Sequence, residues 1–291
     1  MKVITLLENT AVSGDLKHAH GLSLYMETPG HKILCDMGPN ADFLENAEAL
    51  GVEIGAVDIA FLSHGHYDHA GGLELFCKRN SRAKIYLHAD AFGPYYAVDT
   101  RNGVEKASFI GIDPAFRKYA ERFVFCRGHQ VIDGELQVFS DIPDRDYLVS
   151  ANGTLRERVG EELRPQDFRD EQDLLITAEG KTVLAAGCAH RGIVNILRRA
   201  EALLGRAPDY VFSGFHLTNP GMGVDEPEAL VRAVGEELKR RPTVYATGHC
   251  TGQGPYAILK EMLGEQMRYM SGGTVFELQK APESGGREDE N

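Results

Sequence analysis

The chain has 291 residues, 43% of them hydrophobic and 25% charged, with a formal net charge of −12; this supports one large domain or two small ones around a substantial core. The acidic balance opposes the attraction that dominates nonspecific nucleic-acid binding, so no nucleic-acid partner is expected. No apolar run is long enough to cross a bilayer, and residues 1–7 meet Glu8 and Asn9 too early for a signal segment, so the expectation is a cytoplasmic protein with no membrane partner.

Short apolar stretches at 3–7, 22–26 and 32–35, separated by polar or Gly/Pro breaks, read as three strands of one sheet. A helix over 40–50 follows, with Phe43, Leu44, Ala47 and Leu50 on one face and Gly51 as its stop. Residues 57–62 form the next strand, then come a helix at 73–78 and a strand at 84–87. Residues 90–119 read as irregular cover for a site, where Phe92, Tyr95, Tyr96, Phe109, Phe116 and Tyr119 line an entrance or simply pack. Short strands at 123–125, 131–132 and 136–139 precede a charged stretch at 152–173 that reads as an exposed loop.

Strands at 174–178 and 182–186 form a hairpin turning at 179–181. Helix and strand then alternate: helix 193–204, strand 210–212, helix 227–239, strand 244–246, helix 255–263, strand 274–278. The second half echoes the first. The expected fold is therefore α/β, an αββα sandwich of two packed mixed β-sheets flanked by helices over 1–280, with the polar segment 281–291 a disordered tail.

The chemistry is concentrated after the strand at 57–62, where His64, His66, Asp68 and His69 spell H-x-H-x-D-H. Imidazole and carboxylate are ligands for a borderline divalent metal, and four of them in six residues would crowd one ion, so the spacing points to two ions side by side. His190, His216 and His249 each follow an apolar strand through a Gly-containing turn, where a side chain can point into a shared cleft. The cysteines, Cys35, Cys77, Cys126, Cys188 and Cys250, contain no C-x-x-C pair and read as reduced thiols. His31, His88 and His129 show no partner pattern, and His18 lies with His20 early in an expected loop.

The block Ser63 to Gly72, S-H-G-H-Y-D-H-A-G-G, with Gly187-Cys188-Ala189-His190 and Thr247-Gly248-His249-Cys250-Thr251-Gly252, resembles the metallo-β-lactamase superfamily of metal hydrolases. With His20-Gly21-Leu22-Ser23 and Gly214-Phe215-His216-Leu217 it is similar to a subgroup of dihydropterin-ribofuranosylaminobenzene phosphate synthase-like proteins. The resemblance implies one ion held by His64, His66 and His190 and a second by Asp68, His69 and His249. Cys188 stands near the position where the superfamily usually places a bridging Asp, so either Cys188 or His190 is the ligand there. A thiolate favours zinc, while an all-His/Asp set also suits iron or manganese. Asp36 resembles the family's D-x-G turn and either orients a ligating imidazole or makes an Asx turn before Gly38. His20 either reaches the cleft or stays on the surface.

The function expected is a binuclear metal-dependent hydrolase that uses a metal-bound hydroxide against a small-molecule ester, a phosphoester in particular. Asp68 would orient the nucleophile, and His216 would donate a hydrogen bond or a proton to developing negative charge. The partner is a small phosphorylated substrate, with a homo-oligomer compatible. Two rivals share the site: a synthase condensing a pterin diphosphate with an arylamine, and a non-catalytic metal-binding sensor. A β-lactamase or thioesterase would use the same ions, but antibiotic hydrolysis in a periplasm is disfavoured by the expected cytoplasmic location.

Overall fold

The computed structural model describes residues 1–99, 105–219 and 221–278; the segment 281–291 lies outside the described residues. Its strands, in chain order, are β1 Lys2–Leu7, β2 Ser23–Glu27, β3 Lys32–Cys35, β4 Ile59–Phe61, β5 Lys84–His88, β6 Tyr95–Asp99, β7 Lys106–Phe109, β8 Phe123–Cys126, β9 Gln130–Val131 and β10 Leu136–Phe139. They continue as β11 Leu155–Val159, β12 Glu162–Pro165, β13 Asp173–Ala178, β14 Lys181–Ala185, β15 Tyr210–Ser213, β16 Thr218–Asn219, β17 Val224–Asp225, β18 Val244–Thr247, β19 Met267–Tyr269 and β20 Val275–Glu277. The α-helices are α1 Asp42–Ala49, α2 Tyr67–Ala70, α3 Leu73–Arg79, α4 Ile193–Leu204, α5 Glu228–Lys239 and α6 Gln253–Leu263.

Two seven-stranded sheets carry the fold, in the orders β20-β1-β2-β3-β4-β5-β8 and β19-β18-β15-β14-β13-β10-β9. Each is mixed. Strands β3, β4, β5 and β8 run parallel in the first sheet, and β14, β15, β18 and β19 in the second, while the remaining neighbours are antiparallel. Alternation along the strands explains the four layers. In β3, Ile33 and Cys35 face the other sheet while Leu34 faces Phe43 and Phe76 of α1 and α3; in β13, Leu174 and Ile176 face inward while Leu175 faces α4. A strand covered on both faces reads as a continuous apolar run, which is why these segments are conspicuous in the sequence. The inter-sheet layer, including Leu24, Phe61, Val138, Val183 and Phe212, is fully buried; each such side chain contributes about 1.5–3 kcal/mol by leaving water. No helix of the described residues is long and apolar enough to cross a membrane.

Two expectations are corrected. Residues 90–119 are not simply irregular, and 152–173 is not an exposed loop: β6 and β7 pair with β11 and β12 in a separate four-stranded sheet of order β12-β11-β6-β7. The end of the charged stretch turns inward, so that Gln166, Phe168, Asp170, Glu171 and Gln172 are all buried. Its carboxylates go under because backbone N–H groups meet them: Asp170 accepts from Gly65 N at 2.8 Å, and Glu171 from His190 N at 2.6 Å and Arg191 N at 2.8 Å.

Candidate metal centre

Asp36 follows β3, His64 follows β4, Cys188 and His190 follow β14, His216 follows β15 and His249 follows β18. These strands belong to the parallel parts of the two sheets, and their carboxyl ends are where side chains from distant sequence positions meet. The turns are held tightly. A Cβ on Gly65 would sit 1.9 Å from the Ala91 carbonyl oxygen, and one on Gly72 would sit 2.2 Å from that of Met37, so the motif loop lies flat against its neighbours. Asp36, Ala189, His216 and His249 all take left-handed φ between 50° and 59°, a strained conformation for non-glycine residues that clusters at functional sites.

All six expected ligands are buried, and the structure brings them together in overlapping groups whose donor atoms lie within 4.8 Å: Asp68, His69, Cys188 and His249; His64, His66 and Asp68; His64, Cys188 and His190. Cys188 sits between the two clusters, and both it and His190 converge on the centre. His216 is drawn into a further group with Cys188 and Cys250.

The outer nitrogen of each imidazole is fixed by an acceptor. His69 Nδ1 donates to Asp36 Oδ2 at 2.6 Å. His64 Nδ1 donates to Ser63 Oγ at 2.9 Å, which donates in turn to Asp36 Oδ2 at 2.7 Å. His190 Nδ1 donates to Asn152 Oδ1 and His249 Nδ1 to Asn9 Oδ1, both at 2.9 Å. His66 is reversed, donating from Nε2 to Gln166 Oε1 at 2.9 Å. These partners set the tautomers and turn the other ring nitrogens inward.

Two observations test whether this pocket suits cations. His64 Nε2 and His190 Nε2 are buried with no hydrogen-bond partner, a cost that a native interior rarely bears unless something is bound. His249 Nε2 lies 3.3 Å from His69 Nε2 and 3.3 Å from Asp68 Oδ2, and ligands about 2.0–2.1 Å from a tetrahedral zinc are separated by about that distance. The donor set fits divalent metal.

Electrostatics agree for three of the histidines. Burial, reinforced by neighbouring imidazoles, pushes His64 and His190 well below the usual histidine range, and burial brings His66 down to about 4; all three are neutral lone-pair donors at pH 7. Burial also disfavours charge on His69, but the carboxylates of Asp36 and Asp68 outweigh it and raise its pKa to about 9. Burial likewise opposes ionisation of Asp68, yet the surrounding histidines hold it well below the usual carboxylate range. Burial pushes the Cys188 thiol up, and it lifts Asp170 to about 6.

The centre opens on a cavity of 570 Å³. His66, Asp68, Cys188, His190, His216 and His249 form part of its lining, with Asn9, Thr154 and Asn219 as further polar groups and Val98, Ile110, Leu155 and Met222 as apolar wall. No Lys or Arg is among the described lining residues. His20 reaches the cleft, with Nε2 3.3 Å from Asp68 Oδ2. Ala97, Val98, Asp99, Ser108 and Ile110 line the cavity as expected cover, but the six aromatics are not in that lining: Tyr95 stands edge-on to His66, Tyr96 and Phe109 pack edge-to-face, and Phe92, Phe116 and Tyr119 rest on the first sheet's outer core. Sequence reasoning missed Asn9, Asn152, Gln166, Asp170, Glu171 and Cys250; of these only Cys250, next to His249, carried a positional signal. His31, His88 and His129 lie apart, each with its own polar neighbour.

The metallo-beta-lactamase superfamily profile matches residues 18–249. The chain is 25% identical over 292 aligned residues, 96% of its own length and 97% of the other's, to the 7,8-dihydropterin-6-methyl-4-(beta-D-ribofuranosyl)-aminobenzene-5'-phosphate synthase of Methanocaldococcus jannaschii. Its fold superposes with a TM-score of 0.80 on the crystal structure of a metal-dependent hydrolase of the β-lactamase superfamily, at 24% identity, covering 96% of this chain and 99% of that one. Zn(2+)-bound PqqB from Methylobacterium extorquens superposes at 0.53 with 12% identity, over 96% and 100% of the two chains. Converging imidazoles at the parallel strand ends of paired sheets, together with a profile match over most of its length, place the chain in the metallo-β-lactamase superfamily.

Proposed function

We propose that the protein is a binuclear metal-dependent hydrolase of a small-molecule phosphoester. As the family resemblance implies, His64, His66 and His190 would hold one ion and Asp68, His69 and His249 the other; the structure gathers the second trio with Cys188, and joins His64 to His190 through Cys188 and to His66 through Asp68, and a Cys188 ligand would favour zinc over iron or manganese. The observation that carries this reading is the arrangement of the five ligand imidazoles: the outer nitrogen of each is anchored, and the inner ones converge beneath an open cavity. Divalent ions bound there supply Lewis acidity, polarising a phosphoryl oxygen and lowering the pKa of water to about 7.

The chain's own groups do the rest. Asp68 Oδ2, 3.3 Å from both His20 Nε2 and His249 Nε2, stays ionised and is placed to orient the attacking water through a hydrogen bond. His216 belongs to the cavity lining, beside Cys188 and Cys250, and would donate to negative charge developing on the substrate.

The synthase reading keeps a specific support, the near full-length likeness to the Methanocaldococcus jannaschii protein. Metal-replete protein assayed against cyclic nucleotides, phosphodiesters, lactones and a pterin diphosphate separates the readings. Metal-dependent cleavage of a phosphoester without a second substrate is expected. Pyrophosphate release only when an arylamine is present would transfer the assignment to the synthase. Full metal occupancy without turnover on any substrate would leave a sensor.

A further inference from the structure

The metal cavity has a neighbour. A second chamber of 470 Å³ lies on the other side of Tyr67, which belongs to the walls of both. Phe109, Ile112 and Phe116 line the chamber with it. Tyr67 is 44% exposed and Phe109 46%, a pair of large aromatic faces left to solvent beside a cleft.

The chamber is built on the metal loop itself. Tyr67 N donates to the Ile110 carbonyl oxygen at 2.7 Å, and His66 pairs with Gly111 in an isolated antiparallel bridge, so the position of the second chamber is tied to that of the histidines. Its described lining contains no Lys, Arg or His, and its acid, Asp113, accepts from Ala115 N at 2.8 Å. With no Lys or Arg among the described residues of either lining, a phosphate finds its countercharge at the metal centre alone. Discrimination among phosphoesters then falls to apolar contact.

We propose that Tyr67 divides a two-part substrate site: the phosphate end of the ligand sits at the metal centre, and a neutral, planar ring system of the same molecule crosses Tyr67 and lies against Phe109 in the second chamber. This rests on the phosphoester reading above. It selects aryl or fused-ring phosphoesters over sugar or alkyl phosphates, because only a planar apolar body covers both exposed faces.

Binding of two non-hydrolysable probes to the zinc-loaded full-length protein, methylphosphonate and 1-naphthylmethylphosphonate, tests this by calorimetry. The naphthyl compound is expected to bind about tenfold tighter, the weight of one or two aromatic contacts. Phe109→Ala, at a residue that lines the second chamber and not the metal cavity, should remove most of that advantage while leaving methylphosphonate affinity and zinc content unchanged, and Tyr67→Phe should keep it. Should Phe109→Ala fail to fold, Phe116→Ala on the same chamber wall decides, with a smaller loss for the naphthyl probe only. Equal affinity of the two probes, or a loss shared by both, overturns the inference alone. Failure of both phosphonates to bind would take down the phosphoester reading and the inference with it.

Discussion

Asp36→Asn perturbs the centre without touching a donor to the ions. The buried carboxylate accepts from His69 Nδ1 at 2.6 Å, Ser63 N at 2.8 Å and Ser63 Oγ at 2.7 Å. Asparagine offers one acceptor oxygen and turns an NH2 group toward a remaining donor, so one or two charge-assisted bonds are lost. Each is worth about 1.5–3 kcal/mol, and with partial compensation the expected destabilisation is about 2–4 kcal/mol in urea unfolding. Asparagine tolerates the left-handed φ of 59° at this position, so backbone strain does not confound the result. Removing an orienting partner of this kind lowers metal affinity about 10–100-fold. Zinc competition against a chromophoric chelator should show the larger loss at the ion nearest His69 and a smaller one at that nearest His64, which is reached only through Ser63. Zinc affinity within twofold of wild type, in a variant that folds, would refute the view that Asp36 sets these imidazoles.

His66→Ala should abolish metal-dependent turnover while circular dichroism stays unchanged; retained activity counts against the ligand scheme. Gly65→Ala should prevent the motif loop from seating against Ala91, since the added Cβ meets a backbone oxygen at 1.9 Å, and should lower both melting temperature and zinc content. Phe212→Ala, in the fully buried inter-sheet layer against Phe276, should cost about 3–5 kcal/mol in urea unfolding, with zinc stoichiometry retained. His31 supplies a pH test away from the site. Burial pushes its pKa down, but the hydrogen bond to Asp58 at 2.8 Å and the charges of Asp58 and Asp133 raise it overall. A raised histidine contributes stability that is full below its unfolded value of about 6.5 and lost as pH rises through its folded value. The stability gap between wild type and His31→Ala should therefore be wider near about pH 5.5 than near about pH 9, and a gap independent of pH would disprove this.

The sandwich was legible because strands such as β3 and β13 are buried on both faces and leave uninterrupted apolar runs, and because α4 and α5 repeat their apolar positions at helical spacing. The metal motif was legible because four donors fall within six residues. The groups that orient those donors were not. Asn9, Asn152 and Gln166 are single amides, with His249, His190 and His66 respectively 240, 38 and 100 residues away, and no local spacing marks them. The stretch 152–173 misleads for another reason: its charged letters suggest water, yet Asp170 and Glu171 are met by backbone N–H groups of the metal-bearing turns. Burial there depends on distant backbone, which composition does not record.

The most direct measurement is anomalous scattering from crystals grown with zinc. Two peaks are predicted in one site, one enclosed by His64, His66 and His190 and the other by Asp68, His69 and His249. A single peak, or zinc bound elsewhere with these imidazoles vacant, would contradict the binuclear centre.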